Sequence, residues 1–511
     1  MKKQNTSIIN LHRIAAFFLT LSVLLVFVSC AAKSANDMGM APEAGYAVAD
    51  TYLSNDMLPP SDIEDSEQPI FIENPFISTH EQAVSTFSAD VDTASYTYFR
   101  KLVNNGYNLT YLKENGAAFR TEEFINYFKY ETNGPADGEL FGVTTAIAEC
   151  PWNTDAMLMR LTLQAKSDVP PVGNNLVFLI DVSGSMSSSD KLPLLKKAFT
   201  YLVSQLNEND RVSIVTYSGK ESVVLSGCPG NQGEKILNAI NKLKANGSTN
   251  GQAGLEKAYR EAQEYMIEGG NNRIIMASDG DLNVGISSAE ELKAFVEQKR
   301  ELGIYLSVLG FGTGNYRDAN MEALADNGNG VYYYIDGESE AERIFGSELL
   351  STLQTVANDV KLQITFDPAA IASYRLIGYE NRILKEEDFT DDTKDAGEVG
   401  AGHQVTVCYE LIPAVGIADN PDWMTLKVRY KPIGSIESVE NQYPIGSSSQ
   451  KEPDADFRFI TAVIETAMVL HNSKYLGDIN LHNVSDILNS LDLSSTPERA
   501  EFKALIQKIE G

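Results

Sequence analysis

The stretch Leu176-Val177-Phe178-Leu179-Ile180-Asp181-Val182-Ser183-Gly184-Ser185 decides the fold and locates the candidate site. A short apolar run of this kind is typical of a strand that is buried on both faces of a parallel sheet. An acidic side chain and two hydroxyls follow it directly, at the end of the strand where open α/β sheets bind their ligands. Because these three side chains offer only oxygen, they favour a hard cation such as Mg²⁺.

The region around this stretch, residues 171–358, alternates between strand and helix patterns. Strands are predicted at 176–180, 211–217, 273–278, 305–309 and 331–335, and helices near 192–206, 236–243, 251–265, 289–300 and 316–325. This alternation predicts an α/β domain with a doubly wound, mostly parallel sheet. The carboxyl ends of such strands meet at one edge, although they lie far apart in sequence.

Two further loops at that edge carry matching side chains. One is Gly247-Ser248-Thr249-Asn250, which precedes a helix, and the other is Ser278-Asp279-Gly280, which ends a strand. We therefore expect one cation to be surrounded by Asp181, Ser183, Ser185, Thr249 and Asp279. Taken alone, the 181–185 motif has an alternative interpretation as a hydroxyl-rich approach to a helix, because Asp and Ser bond nearby backbone amides.

Together, the DxSxS motif, the Thr of GSTN and the Asp of SDG resemble the metal-ion-dependent adhesion site (MIDAS) of von Willebrand factor type A domains. The resemblance implies a Rossmann-like fold and Mg²⁺ as the usual ion, with Mn²⁺ or Ca²⁺ as alternatives. It also implies protein binding in which an Asp or Glu of the partner completes the coordination, and it implies no catalytic residue. The alternative is a structural or assembly role in which the metal only stabilises the loops.

The flanking regions predict a second, antiparallel body. Period-2 strands occur at 143–148 and 157–164 and again at 360–366, 404–412 and 423–430, which predicts a β-sandwich with the central domain inserted in it or flanked by it. Asn74-Pro75-Phe76 and residues 85–96 resemble the amino-terminal region of bacterial type A domain lipoproteins, and 378–403 resembles their carboxyl-terminal domain. The predicted boundaries are 75–170, 171–358, 359–450 and a helical segment at 451–511.

The amino terminus has the pattern of a processing signal. Lys2, Lys3 and Arg13 precede the apolar run 14–29, which is shorter than the roughly 20 residues that a spanning helix needs. Residues 1–29 are predicted to be a signal peptide. Phe27-Val28-Ser29-Cys30 resembles a bacterial lipobox, which implies a lipidated Cys30, a flexible tether over 30–74 and an envelope location on the outer-membrane or periplasmic side. An ordinary secretory peptide with an incidental cysteine is the alternative.

Charge and cysteine content limit the partners and the cross-links. Acidic residues outnumber basic ones by 70 to 41, and the net charge of −29 would repel a phosphate backbone, so we expect no nucleic-acid binding. Three further cysteines, Cys150, Cys228 and Cys408, cannot form a closed set of disulfides. Pairing of Cys150 with Cys408 and three buried free thiols are both open.

Signals of catalysis are incomplete, and we predict that the chain is not an enzyme. Asp90-Val91-Asp92-Thr93-Ala94-Ser95 is compatible with a paired-aspartate phosphatase motif or half of an aspartic protease site, but the residues that would complete either are missing. We predict instead that Asp92 or Thr93 caps the helix that begins near Tyr96. GxSxG, HExxH and GxxxxGK[ST] motifs are absent.

Two remaining polar features are assigned structural roles. Asp391, Asp392, Asp395 and Glu398 lack the spacing of an EF-hand and are predicted to form a solvated acidic loop, with a Ca²⁺ site as the alternative. His403 is predicted to be a strand-edge residue rather than a catalytic base.

Overall fold

A computed structural model describes residues 72–170, 172–247, 252–280, 289–312, 318–348, 353–417 and 421–510. The predicted signal peptide, Cys30, nearly all of the tether and Thr249 lie outside these residues. Within the described ranges, the helices are all too short or too polar to cross a membrane.

The strands are, in chain order, β1 Ile77–Ser78, β2 Val84–Ser88, β3 Phe141–Glu149, β4 Met157–Ala165, β5 Asn174–Asp181, β6 Arg211–Tyr217, β7 Ser222–Pro229, β8 Asn271–Ser278, β9 Ile304–Phe311, β10 Tyr332–Ile335, β11 Thr355–Phe366, β12 Ile371–Ile377, β13 Ile383–Leu384, β14 Gly397–Gly400, β15 Gln404–Pro413, β16 Asp422–Pro432 and β17 Val439–Gly446.

The α-helices are α1 Ala94–Asn104, α2 Leu109–Glu114, α3 Thr121–Tyr127, α4 Leu192–Gln205, α5 Gly233–Asn241, α6 Gln252–Glu264, α7 Ala289–Arg300, α8 Asp318–Asn327, α9 Glu338–Glu342, α10 Ala455–His471, α11 Leu481–Asn489 and α12 Pro497–Glu510.

The central sheet has the strand order β10-β9-β8-β5-β6-β7, and its pairs are parallel except for β6 with β7. Strand β5 lies in the interior of the sheet, and its side chains alternate between two cores. Phe178 and Ile180 pack under α4, whereas Val177 and Leu179 pack under α6. The predicted doubly wound sheet is confirmed. The edge strand β7 was not predicted, because its mostly exposed or half-buried residues lack a continuous apolar run.

Two antiparallel sheets form the sandwich. One has the order β1-β12-β15-β4-β3, the other β13-β2-β11-β16-β17, and β14 also pairs with β11. Both contribute to a single apolar core, which contains Leu161 and Val407 from the first sheet and Leu362 and Leu426 from the second. Strands from before and after the central domain pair directly, as β15 does with β4 and β11 with β2. The predicted sandwich around the central domain is confirmed.

A helical layer covers the other face of the first antiparallel sheet. Helices α1–α3 from the amino-terminal region and α10–α12 from the end of the chain share a second apolar core with β3, β4 and β15. Cys150 and Cys408 both belong to this core, and they are free thiols, as is the buried Cys228. The possible disulfide between Cys150 and Cys408 therefore does not form.

Candidate functional site

The two acidic residues of the predicted site lie at the same edge of the central sheet. Asp181 ends β5 and Asp279 directly follows β8, and these strands are parallel neighbours, with Ile180 opposite Ala277. Both residues are buried, at 0% and 2% exposure. Burying a carboxylate is costly unless it has polar or charged partners, so these positions are typical of a functional edge.

The first loop directs its two hydroxyls toward each other. The Ser183 amide donates a hydrogen bond of 2.7 Å to Asp181 Oδ1, which bends the chain immediately after β5. As a result, Ser183 Oγ and Ser185 Oγ lie 2.9 Å apart. Ser183 is buried, Ser185 is exposed, and the buried side chain of Met186 anchors the turn in the core below. The two hydroxyls therefore lie between the buried Asp181 carboxylate and the protein surface.

The loop that contains Gly247 is held against the 181–185 loop by backbone hydrogen bonds. The Asn246 amide donates to Val182 O at 2.7 Å, and the Gly184 amide donates to Gly247 O at 3.0 Å. Gly247 has a φ of +95°, a conformation that favours glycine and turns the chain at this contact. Thr249 follows two residues later, outside the described residues. The structure thus brings together Asp181, Ser183, Ser185 and Asp279, and the assignment of Thr249 stays a prediction.

Lys191 is a member of the site that the sequence analysis missed. Its Nζ lies 2.8 Å from Asp279 Oδ2 and 3.1 Å from Ser185 O, and only 11% of its side chain is exposed. Lys191 occupies the N-cap position of α4, where the helix dipole disfavours a positive charge. A lysine at such a position indicates a nearby anionic partner, and this signal was available in the sequence.

The donor set fits a hard divalent cation. Two buried carboxylates and two hydroxyls supply oxygen alone, and the Lys191 ammonium shows that the edge already attracts positive charge. The described part of the site contains no imidazole or thiolate donor, the ligands that zinc and copper prefer.

The paired aspartates of the flanking region form a structural network. Asp92 Oδ1 accepts a hydrogen bond of 2.8 Å from the Tyr332 amide at the start of β10. Arg382 contacts Asp90 at 3.2 Å, Asp92 at 3.1 Å and Asp326 at 2.9 Å. Three segments distant in sequence are thereby joined through one guanidinium, which belongs to a side chain that is 12% exposed.

This network corrects the predicted helix cap. Helix α1 begins at Ala94, its N-cap residue is Thr93, and Thr93 makes no side-chain capping bond. Asp92 is turned away from the helix, because its two oxygens bind the Tyr332 amide and Arg382. Thr93 therefore occupies the N-cap position, as one of the two predicted alternatives has it, but neither Asp92 nor Thr93 makes the expected capping hydrogen bond.

The acidic loop and His403 also differ from expectation. Asp391 and Asp392 are exposed, as predicted, but Asp395 is only 39% exposed at its side chain, and Glu398 is 9% exposed. A solvated loop therefore describes only part of this segment. His403 directly precedes β15, an interior strand of its sheet, and it is buried rather than exposed: it is 4% exposed, and burial lowers its pKa to about 3. The imidazole stays neutral because the interior disfavours its charged form.

Comparisons with known proteins divide the chain into three matched regions. The von Willebrand factor type A domain model matches residues 175–347, a von Willebrand factor model matches 62–160, and the model of the YfbK carboxyl-terminal region matches 351–511. The chain is similar to the protein YfbK of Escherichia coli, with 38% identity over 470 residues that cover 86% of this chain and 80% of YfbK.

More distant similarity is confined to parts of the chain or to the fold. The protein sll0103 of Synechocystis is 29% identical over 194 residues, which are 38% of this chain and 45% of that protein. The solved structure of a von Willebrand factor type A protein from Catenulispora acidiphila is 16% identical, covers 71% of this chain and 88% of its own, and has a TM-score of 0.41.

Proposed function

Because the chain belongs to the YfbK family of proteins with a von Willebrand factor type A domain, we propose that it is a protein-binding module of the bacterial cell envelope. A divalent cation at the edge of the central sheet would coordinate an Asp or Glu side chain of the partner. The observation that carries this proposal is the arrangement of buried Asp181 and Asp279 beneath an exposed Ser185. In a site of this kind the carboxylates are buried in the protein, and one hydroxyl ligand faces the solvent from which a partner would approach.

The ion would be held by Asp181, Ser183, Ser185, Thr249 and Asp279. Mg²⁺ is the expected ion, with Mn²⁺ and Ca²⁺ as alternatives, since all three prefer oxygen ligands. When bound, the ion would supply the positive charge that attracts a carboxylate oxygen. Asp181 orients Ser183 through the backbone amide, whereas the Lys191 ammonium pairs with Asp279, so an ion would compete with Lys191 for this carboxylate.

The location follows from the predicted leader and lipobox. A lipid on Cys30 would attach the folded body to the membrane through the 30–74 tether. The net charge of −29 would repel an acidic partner at long range, so association is expected to be faster as moderate salt screens this repulsion.

Direct titration of the metal tests the site. Isothermal titration calorimetry with MgCl₂ is expected to show binding to the wild-type chain and loss of that binding in Ser183→Ala/Ser185→Ala. Ser187→Ala is the matched control, since Ser187 is an exposed serine of the same turn but is absent from the DxSxS motif. Unchanged Mg²⁺ binding in the double variant would contradict the assignment.

Capture of a partner tests the function. A pull-down from envelope extracts is expected to retain a protein in Mg²⁺ and to release it in EDTA, and the double serine variant should retain none. The structural alternative predicts a different result: EDTA would lower the melting temperature and leave the captured protein unchanged.

A further inference from the structure

We propose that Asp359, Asp395 and Glu398 form a second cation site, specific for Ca²⁺, at the junction between the central domain and the sandwich. Each residue places a carboxylate oxygen within 4.8 Å of the oxygens of the other two. Asp359 belongs to β11, Asp395 lies just before β14, and Glu398 belongs to β14. None of them belongs to the edge site described above.

The spacing of the oxygens suits one shared ion. Ca²⁺ binds oxygen at about 2.3–2.6 Å, so two ligands on opposite sides of an ion are roughly 4.6–5.2 Å apart and adjacent ligands are closer. All three carboxylates can therefore reach a single ion with small side-chain adjustments. Asp395 and Glu398 also line a cavity of about 290 Å³, which has room for an ion and several waters at roughly 30 Å³ each.

Glu398 is the residue that points to a ligand. It is 9% exposed, and its Oε1 atom is buried without a hydrogen-bond partner among the described residues. A buried polar atom without a partner costs about 1–3 kcal/mol, and more if it is charged. Burial, followed by the nearby charges of Asp395 and Asp359, raises the pKa of Glu398 well above its usual value. A bound cation would remove both costs.

Basic residues near the cluster do not satisfy Glu398. Lys431 lies 2.7 Å from Asp359, and Arg300, at the end of α7, pairs with Asp395. Arg273 is close enough to lower the pKa of Glu398, yet it donates to Ser307 and Thr355 instead. The alternative to an ionised Glu398 that binds Ca²⁺ is a protonated, neutral Glu398 without an ion. Measurement of Ca²⁺ binding distinguishes these two states.

The backbone of Asp359 is shaped to present its side chain at this point. Its φ is +53°, which is uncommon for a residue other than glycine. The pairing of β11 with both β14 and β16 shifts register across residues 357–361, so Asp359 lies on a β-bulge. Bulges commonly redirect a side chain toward a site. An ion here would tie β11, the first strand after the central domain, to the 391–398 loop.

The test uses the full chain in the Ser183→Ala/Ser185→Ala background, so that the edge site does not contribute. Calorimetric titration with CaCl₂ is expected to show one equivalent bound, and Ca²⁺ should raise the melting temperature. Asp395→Asn and Glu398→Gln should each weaken Ca²⁺ binding at least tenfold. Asp392→Asn is the matched control, because this exposed carboxylate of the same loop contacts Arg429 outside the cluster. Mg²⁺ should bind at least tenfold more weakly, since it demands stricter octahedral geometry.

Three results would overturn this inference. The first is wild-type-like Ca²⁺ binding by Asp395→Asn, a variant expected to fold because its side chain is partly exposed. The second is an equal loss of binding in Asp392→Asn, and the third is Mg²⁺ binding as tight as that of Ca²⁺. None of them bears on the edge site, because both of its serines are absent from the background.

Discussion

Replacement of Lys191 by Met tests whether the Lys191 ammonium and a divalent cation compete for Asp279. The pair is well buried, with 11% of the Lys191 side chain and none of the Asp279 side chain exposed. Breaking a buried ion pair by removing one partner costs about 3–5 kcal/mol. We expect the lower end, about 3 kcal/mol, because Asp279 has further interactions. Met preserves the length of the stem, which lies against Gly312.

The loss of stability in Lys191→Met should depend on whether a divalent metal is present. In EDTA, about 3 kcal/mol corresponds to a fall of roughly 6–12 °C in melting temperature, at about 2–4 °C per kcal/mol for a domain of this size. If a bound Mg²⁺ replaces the ammonium as the cationic partner of Asp279, saturating Mg²⁺ should recover most of the lost melting temperature. Through linkage, the same free energy should appear as an Mg²⁺ affinity up to about 100-fold higher in Lys191→Met than in the wild type.

The assay combines thermal unfolding in EDTA and in Mg²⁺ with calorimetric titration. Lys197→Met is the control, since Lys197 lies on the same helix and pairs with Glu338 at 2.7 Å, but both side chains are more than half exposed. Exposed pairs contribute about 0–1 kcal/mol, so the control should melt almost as the wild type does. Equal destabilisation of Lys191→Met in EDTA and Mg²⁺, with unchanged Mg²⁺ affinity, would refute the competition.

Two further predictions concern the buried charges of the flanking regions. Arg382→Leu should lower the free energy of unfolding by about 3–5 kcal/mol in urea titrations, because the buried Asp90 and Asp92 lose their cationic partner. The control is Lys385→Leu, an exposed lysine whose replacement should change the free energy of unfolding by less than about 1 kcal/mol. A loss in Arg382→Leu no larger than that of the control would show that the network is dispensable. His403 has a folded-state pKa of about 3, below the ordinary value of 6.5, so only the unfolded chain binds a proton between these values, and stability should fall as the pH drops from 6.5. At pH 5 the loss in the free energy of unfolding is about 2 kcal/mol. His403→Gln should flatten the dependence of stability on pH by that amount, whereas His482→Gln, a replacement of an exposed histidine, should not. An unaltered pH dependence in His403→Gln would contradict this prediction.

Local patterns predicted much of the fold, because each pattern reflects burial that the fold then provides. The apolar run before Asp181 forms an interior strand, and the alternating run over 404–412 forms the sandwich strand β15, whose partners are β4 and β12. The position of Asp279 beside Asp181 followed from the parallel topology alone. These inferences needed only the period of the pattern and the rule that parallel strands end at one edge.

The misses arose where the partner of a side chain is distant in sequence. Capping by Asp92 was a sound local expectation, but Tyr332 lies 240 residues away and Arg382 lies 290 residues away. Glu398 was assigned to a solvated loop, because its segment is acidic and nothing local shows that β14 pairs with β11. Such contacts depend on the tertiary fold, which overrides local preference.

The donors of the two candidate cation sites imply different roles. At the sheet edge, Ser183 and Ser185 contribute neutral oxygens and Ser185 is exposed, so a bound ion would keep positive charge directed toward solvent. At Asp359, Asp395 and Glu398, three carboxylates would surround the ion, and two of them also pair with Lys431 and Arg300, so the ion would be enclosed by charged groups of the chain itself. The first donor set suits capture of an acidic partner, and the second suits stabilisation of the chain itself. Chelation should therefore affect binding through the edge site and the melting temperature through the junction, and the serine and glutamate variants separate these effects.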